Sequence, residues 1–348
     1  MALGRVAAAG LVVAACQGGT PDAPRQQGLR EVVDGGSPLV PDTGVVQRLC
    51  ESLERESGGQ IGLTASVIES GRGVACRSDE SFPMASTYKL PIVLAVLAKV
   101  DSGRMSLDDS VDLVPSDFRI GPSQIADSVG AAGGRATVGA MIRSVMMYSD
   151  NTASDRLMRL AGGAQAVTAH VRSRGIQEMR IDRYEGEVHW EYNGVKDVPP
   201  PDRWSVAEFN RRIAAVPAEE MEAAHARFWN DPRDTSTPRA MHALLAMLHR
   251  GNDISPASRR LLLNAMERSP TGRNRIRALL PEGTIVADKT GTIGRTTNDV
   301  GIITLPDGSH VAIAVFVKMS TRSNEQEERT IARVGRAVYG HFAQSAKP

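Results

Sequence analysis

Hydrophobic and polar positions along the chain change period twice. Val45 to Leu53 places apolar residues at helical spacing, and Gly58-Gly59 ends that run. Gly62 to Ile68 (GLTASVI) reads as a strand, and Gly71-Arg72-Gly73 marks a turn before Val74-Ala75-Cys76. The chain therefore starts as a helix followed by a hairpin. Residues 86–268 return to a mostly helical pattern broken by loops. Strand-like stretches come back late, at Thr284 to Lys289 and at Val300 to Leu305, which turns at Pro306-Asp307-Gly308 into His310 to Lys318. A last helix is predicted from about Glu325 to Phe342. Strands at both ends around a helical middle predict one sheet built from the two chain ends and a second, all-helical lobe.

The N-terminus has a different character. MALGRVAAAGLVVAAC carries one Arg, a short apolar run and small residues, the layout of a secretory signal over residues 1–15. Val13-Ala14-Ala15-Cys16 also looks like a bacterial lipobox, in which Cys16 is lipidated; the alternative is an ordinary signal with Cys16 incidental. The Gly-, Pro-, Gln- and Asp-rich residues 16–40 read as a flexible tether. These segments imply an exported, periplasmic protein, with a lipid anchor through Cys16 if the lipobox reading holds. No apolar run is long enough to span a bilayer. Cys50 and Cys76 could form one disulfide, but two separate buried thiols are the simpler reading, because one pair is no disulfide framework.

Composition narrows the function. The net charge of +1 falls to zero once residues 1–15 are removed, so no basic excess exists to neutralise phosphates, and nucleic acid is excluded as the main partner. No His-x-x-x-His or Cys/His cluster has ligand spacing, and His242 and His249 read as helix-surface residues, so neither a metal nor another cofactor is expected.

Candidate chemistry begins at Ser86-Thr87-Tyr88-Lys89, which opens the apolar run from Leu90 to Val100. Ser is a poor nucleophile unless a base sits beside it, and positions i and i+3 of a helix share a face. Ser-x-x-Lys alone is common by chance. Two further short motifs follow in order, Ser149-Asp150-Asn151 and Lys289-Thr290-Gly291. Lys289 as a second cation would disfavour charge on Lys89 and help it act as a base. Ser149 could relay a proton, Asn151 could bond a substrate amide, and Lys289 with Thr290 could hold a carboxylate.

The ordered trio is the known signature of class A β-lactamases and penicillin-binding proteins. Glu185 lies 36 residues after Ser149, within Asp182-Arg183-Tyr184-Glu185, and resembles the class A loop that carries the general-base glutamate. A solvated loop carboxylate is the bland alternative. Arg183 and Asp234 match the pair that pinches this loop shut in the family. The resemblance to class A serine β-lactamases covers residues 41–345. It implies an α/β fold of the α+β type: an antiparallel sheet flanked by helices, packed on an all-helical lobe, with the active site between. The sheet lobe would take residues 41–85 and 276–345, and the helical lobe 86–275. The resemblance implies acylation of Ser86 by a β-lactam, then hydrolysis by a water activated by Glu185, in a monomer.

Finer matches follow. The backbone N–H groups of Ser86 and Thr292 fall where the family holds the oxyanion, and Thr292 sits just after Gly291. Many class A enzymes carry an Arg on the strand after Lys-Thr-Gly, where this chain has Asn298; others supply it from a helix end, which Arg275 fits. His189 stands where the family has a water-positioning Asn four residues after the loop Glu. No aromatic occupies the wall position before Ser-Asp-Asn, leaving Phe118 as a substitute.

The largest departure is the 49-residue span from Glu185 to Asp234, far longer than the family's loop. Residues 184–229 carry all three Trp and seven of the 14 aromatic residues, unlike a disordered insert. Ser205-Val206-Ala207-Glu208 predicts a capped helix inside it. The insertion, residues 190–232, is either an ordered flap beside the site mouth or an ornament on the outer surface. Two rivals share the three motifs: a penicillin-binding D,D-peptidase, and a non-turnover β-lactam sensor. Neither needs Glu185.

Overall fold

A computed structural model of the chain describes residues 43–344; the leader, Cys16 and the tether lie outside the described residues. Helix α1 (Thr43–Ser57) leads into β1 (Gln60–Val67) and β2 (Gly73–Cys76). A two-residue strand, β3 (Phe82–Pro83), precedes the helical turn Ala85–Tyr88, which runs into α2 (Lys89–Asp101). The middle of the chain holds β4 (Ser110–Leu113), α3 (Gln124–Val129), β5 (Gly134–Thr137), α4 (Val138–Tyr148), α5 (Asn151–Ala161) and α6 (Ala164–Ser173). Helices α7 (Glu185–Tyr192), α8 (Val206–Ile213) and α9 (Ala218–Phe228) form the long insertion. Strand β6 (Thr235–Ser236), α10 (Pro238–Arg250) and α11 (Pro256–Glu267) return the chain to β7 (Val286–Ile293), β8 (Thr296–Thr304), β9 (His310–Lys318) and α12 (Asn324–Gln344).

The main sheet has the order β2-β1-β9-β8-β7 and is antiparallel throughout, so both chain ends build it. Strand alternation gives it two buried faces. Val311, Ile313, Val315 and Val317 of β9 join Leu53 of α1 and Val334 and Val338 of α12 in one core. Ala312, Ala314 and Phe316 turn the other way, onto Leu244 and Leu245 of α10 and the helical lobe. Burying each large apolar side chain contributes on the order of 2 kcal/mol, which is why the central strand reads as almost unbroken apolar sequence.

The lobe opposite the sheet is helical but not wholly so. Strands β4 and β5 pair across it, and β3 pairs with β6. These ribbons are too short for alternation to announce them. A larger difference concerns the cysteines. Cys50 and Cys76 form a disulfide, their Cα atoms 6.8 Å apart where α1 lies against β2, which corrects the reading of two separate thiols. Periodicity within each element could not show that the two elements meet. Closing a loop of sequence separation 26 is worth about 3–4 kcal/mol by chain entropy.

His242 is also corrected. It sits on the sheet-facing side of α10, and its Nε2 lies 2.8 Å from Ser66 Oγ on β1. Burial, helped by Arg250 and Arg239, pushes its imidazole down to about 4, against 6.5 for the free group. As pH falls, the unfolded chain takes up this proton first, so stability is lost between pH 6.5 and about 4. The urea midpoint is expected to fall between pH 7 and pH 5, and to fall less in His242→Gln. Equal falls in both proteins would exclude His242 as the source.

Candidate active site

The turn before α2 places Ser86 at the mouth of a helix that is apolar from Leu90 to Ala98. Ala85, just before it, has φ +45°, a left-handed conformation that costs a non-glycine residue on the order of 1 kcal/mol. Three residues hold that turn. Thr87 Oγ1 donates to Met84 O at 2.8 Å. Asn298 Nδ2 donates to Pro83 O and Met84 O, both at 2.9 Å. Gly291 of β7 presses against the same backbone: a Cβ there would lie 2.7 Å from Met84 O and 2.9 Å from Ser86 N, so only glycine fits. Asn298 is thus a buried clamp on the nucleophile's segment, not a wall residue of the cleft.

Two buried lysines converge on Ser149. Lys89 Nζ lies 2.7 Å from Ser149 O, 3.3 Å from Ser149 Oγ and 2.5 Å from Asn151 Oδ1. Its hydrogen bonds go to this helix junction, not to Ser86. Lys289 Nζ approaches Ser149 Oγ from β7 at 3.0 Å. Burial, then the charges of Lys89 and Arg275, hold the Lys289 amine well below its ordinary value. Ser149 ends α4 in the left-handed region (φ +60°), which turns its hydroxyl into the cleft. Asp150 makes the junction rigid. Its carboxylate accepts from Ala153 N, Ser123 Oγ, Ile125 N and Ser144 Oγ at 2.8–3.0 Å, tying α3, α4 and α5 together. Asn151 Nδ2 donates to Ile120 O at 2.7 Å.

Glu185 is the first residue of α7, and Asp155 of α5 fixes it there. Asp155 accepts from Glu185 N at 2.6 Å and Gly186 N at 3.2 Å, and is itself paired with Arg119 at 2.6 Å. The Glu185 carboxylate is buried. Tyr88 Oη donates to its Oε2 at 2.7 Å, and Lys89 Nζ lies 3.4 Å from the same oxygen. His189 Nε2 lies 3.2 Å from Oε1, out of line for a hydrogen bond. Burial alone would raise this carboxyl; the Lys89 charge, His189 and Tyr88 outweigh it and hold it well below the carboxylate range. The group is therefore ionised at neutral pH although enclosed.

The loop around Glu185 closes on a second ion pair. Arg183 Nε lies 2.6 Å from Asp234 Oδ2, while the backbone N–H groups of Asp182 and Arg183 donate to Asp234 Oδ1 at 2.8 and 3.1 Å. Arg183 also reaches Glu191 and Asp231. Beyond this neck the insertion is ordered around its own core of Trp190, Val195, Trp204 and Phe209. Ser205 Oγ accepts from Glu208 N at 3.1 Å and starts α8, but the Glu208 carboxylate turns to Arg211 and Arg212, so only half of the predicted capping box forms. Tyr192 and Trp229 reach across to the β7–β8 turn. A Cβ on Gly294 there would lie 2.0 Å from Tyr192 Oη and 3.0 Å from the Trp229 ring.

β7 is an edge strand, so its outer backbone groups face the cleft. Arg275 is buried behind it. Its Nη1 donates to Asn298 O at 2.8 Å and Gly291 O at 3.1 Å, and its Nη2 to Thr292 Oγ1 at 2.7 Å. Thr290 Oγ1 donates to Thr271 Oγ1 at 2.8 Å. These elements enclose a cavity of about 350 Å3. Ser86, Ser149, Asn151, Glu185, His189, Asp234, Arg275, Thr290, Gly291 and Thr292 lie on its wall; Lys89 and Lys289 are buried behind Ser149, and Arg183 does not line it. Phe118 does not line it, since Gly121 and Pro122 occupy that side, and the aromatic wall comes from Tyr148 and from Phe228 of the insertion. Sequence reasoning missed Tyr88, Asp155 and Thr271 as partners of the site. A tyrosine within Ser-Thr-Tyr-Lys, one residue before the lysine, was the available signal for Tyr88.

Known proteins agree with this geometry. The model of the β-lactamase enzyme family matches residues 45–342. The chain is 30% identical over 302 residues to β-lactamase CTX-M-25 of Escherichia coli, covering 86% of this chain and 90% of that protein. It is 29% identical over 301 residues to the carbapenem-hydrolyzing β-lactamase KPC of Klebsiella oxytoca, covering 84% and 88%. The solved structure of an ancestral class A β-lactamase superposes with a TM-score of 0.70 at 34% identity, covering 85% of this chain and all of that one. The chain belongs to the β-lactamase enzyme family, as a class A serine β-lactamase that hydrolyses β-lactams.

Proposed function

We propose that Lys89 takes the hydroxyl proton as Ser86 Oγ attacks the lactam carbonyl, that this proton passes through Ser149 to the leaving nitrogen as the C–N bond opens, and that Glu185 deprotonates the water that attacks the acyl carbon and returns that proton to Ser86 Oγ as the acyl group leaves. One observation carries this assignment: the ionised Glu185 carboxylate lies on the same cavity wall as Ser86, with the buried Lys89 amine 3.4 Å behind it. Ser149 Oγ, held between two lysines, is suited to relay that proton. The backbone N–H groups of Ser86 and Thr292 would hold the oxyanion. Lys289, Thr290 and Arg275 supply hydrogen-bond donors at the far wall suited to the substrate carboxylate, Arg275 being also paired with Glu328, and Asn151 faces its amide. His189 takes the water-positioning place beside Glu185. Time-resolved intact mass of the mature protein with a penicillin tests the cycle. An adduct at Ser86 should appear and then vanish as product accumulates. An adduct that persists would point to the D,D-peptidase or sensor reading.

The insertion is proposed to act as a roof that sets substrate choice. Phe228 lines the cavity while Tyr192 and Trp229 meet the β7–β8 turn, so the insertion spans one end of the cleft. Phe228→Ala is expected to raise kcat/KM for a bulky cephalosporin about 10-fold or more, with little change for benzylpenicillin. Equal changes for both substrates would return the insertion to the role of surface ornament. Export is supported by the leader and by the disulfide, which persists in oxidising compartments. A lipid anchor at Cys16 is proposed on the lipobox, and a monomer on the family resemblance. No helix among the described residues is long and apolar enough to cross a membrane.

A further inference from the structure

Two imidazoles and a carboxylate meet at the end of the sheet remote from the cleft. His249 comes from the last turn of α10, His310 from the first residue of β9, and Glu69 from the loop after β1. Strand alternation explains the meeting. His310 has the parity of Ala312, Ala314 and Phe316, the β9 residues that face α10. The two rings lie 4.1 Å apart between centroids. Glu69 Oε1 is 2.8 Å from His310 Nδ1 and 3.8 Å from His249 Nε2, and the three ligand atoms all lie within 4.8 Å of one another.

We propose that Glu69, His249 and His310 bind a zinc-class divalent cation that staples the C-terminal end of α10 to the start of β9. A tetrahedral ion with bonds of about 2.0–2.2 Å sets its ligands roughly 3.3–3.6 Å apart, and the two distances from Glu69 bracket that value. Two imidazoles with one carboxylate favour zinc, copper, nickel or cobalt over calcium or magnesium. The carboxylate is already oriented: its Oε2 accepts from the backbone N–H of His310 at 3.0 Å, which leaves Oε1 turned toward both rings. The rings are partly open to solvent, so water completes the fourth position. Arg250 and Arg259 lie close, but each is bonded to a backbone carbonyl, Ile68 O and His249 O, and so does not occupy Glu69.

The ion is structural, because the cluster is far from the chemistry. His310 pairs with Thr304, whereas the cleft-side register pairs Phe316 with Asn298 and Asn298 with Gly291. Six residues of strand separate the two levels, roughly 20 Å.

The test is zinc titration of the chelator-stripped mature chain, followed by calorimetry and by thermal unfolding. One zinc per chain is expected, with Tm rising by about 4 °C once zinc exceeds its Kd about 100-fold. His249→Ala and His310→Ala, purified separately, should each lose the binding and the Tm rise. Both should keep wild-type β-lactam turnover in the absence of zinc, which shows that they fold. Cobalt in place of zinc should give the absorption of a tetrahedral site in the wild type alone. No binding to the wild type, or binding that survives both substitutions, would overturn the proposal.

Discussion

Glu185→Gln is expected to turn a passing adduct into a lasting one. The substitution keeps the size of the side chain and an oxygen that can accept from Tyr88 Oη, which lies 2.7 Å from the carboxylate. It leaves Ser86, Lys89 and Ser149 in place, so acylation should proceed. What disappears is the base that activates water. General-base catalysis contributes typically 10²–10⁴-fold, so deacylation should slow by about 10³-fold, or about 4 kcal/mol in the barrier. Intact mass after mixing with a penicillin should show the acyl form accumulating to near completion and persisting. If the adduct instead clears at the wild-type rate, the base lies elsewhere, and His189, 3.2 Å from Glu185, becomes the first candidate.

Lys89→Met should affect both halves of the cycle. Lys89 is fully buried, and its Nζ joins Ser149, Asn151 and Glu185. Removing it takes away the amine one helical turn from Ser86 that is proposed to take its proton, and acylation should fall by about 10³-fold or more. The second effect is electrostatic. Burial pushes the Glu185 carboxyl up, and the Lys89 charge is the foremost influence holding it down. Without that charge the folded-state pKa rises. A base works only when ionised, so residual turnover should be lost at a higher pH as the solution is acidified. The pH profile of residual turnover reads this directly. An acid limb that stays where the wild type has it would mean that Lys89 does not govern Glu185.

The local motifs of this site were legible because each is a short run of chain with an ordered partner. Ser86 and Lys89 share one helical turn, and Lys289 to Gly291 share one strand. Arg183 and Asp234 could be matched across the long insertion only through family resemblance. What stayed hidden depends on tertiary register. β7 was expected at Thr284 to Lys289 but runs to Ile293, because Lys289 to Ile293 pair with Val300 to Thr296, a polar stretch that alternation does not mark as strand. That stretch is buried: Thr297 meets Glu327 of α12, and Asn298 clamps the turn before Ser86. Tyr88, Asp155 and Glu185 come from three separate elements, and no spacing rule joins them. The disulfide and the Glu69–His249–His310 cluster were missed for the same reason.

The sheet order has a consequence for how the chain is made. β1, near the start, finds its central partner in β9, with Gln60 opposite Lys318 and Val67 opposite Val311. Each pair is more than two hundred residues apart, so loop-closure entropy must be met before the contact returns anything. During synthesis the β1–β2 hairpin waits with the β9-facing edge of β1 unpaired until the last strands emerge. A polypeptide stopped short of β9 has a hairpin at one end, β7 and β8 at the other, and no strand to join them. Assembly of this enzyme is thus a late, nearly all-or-none event in translation, and premature termination yields chains fit for proteolysis and not partial enzymes.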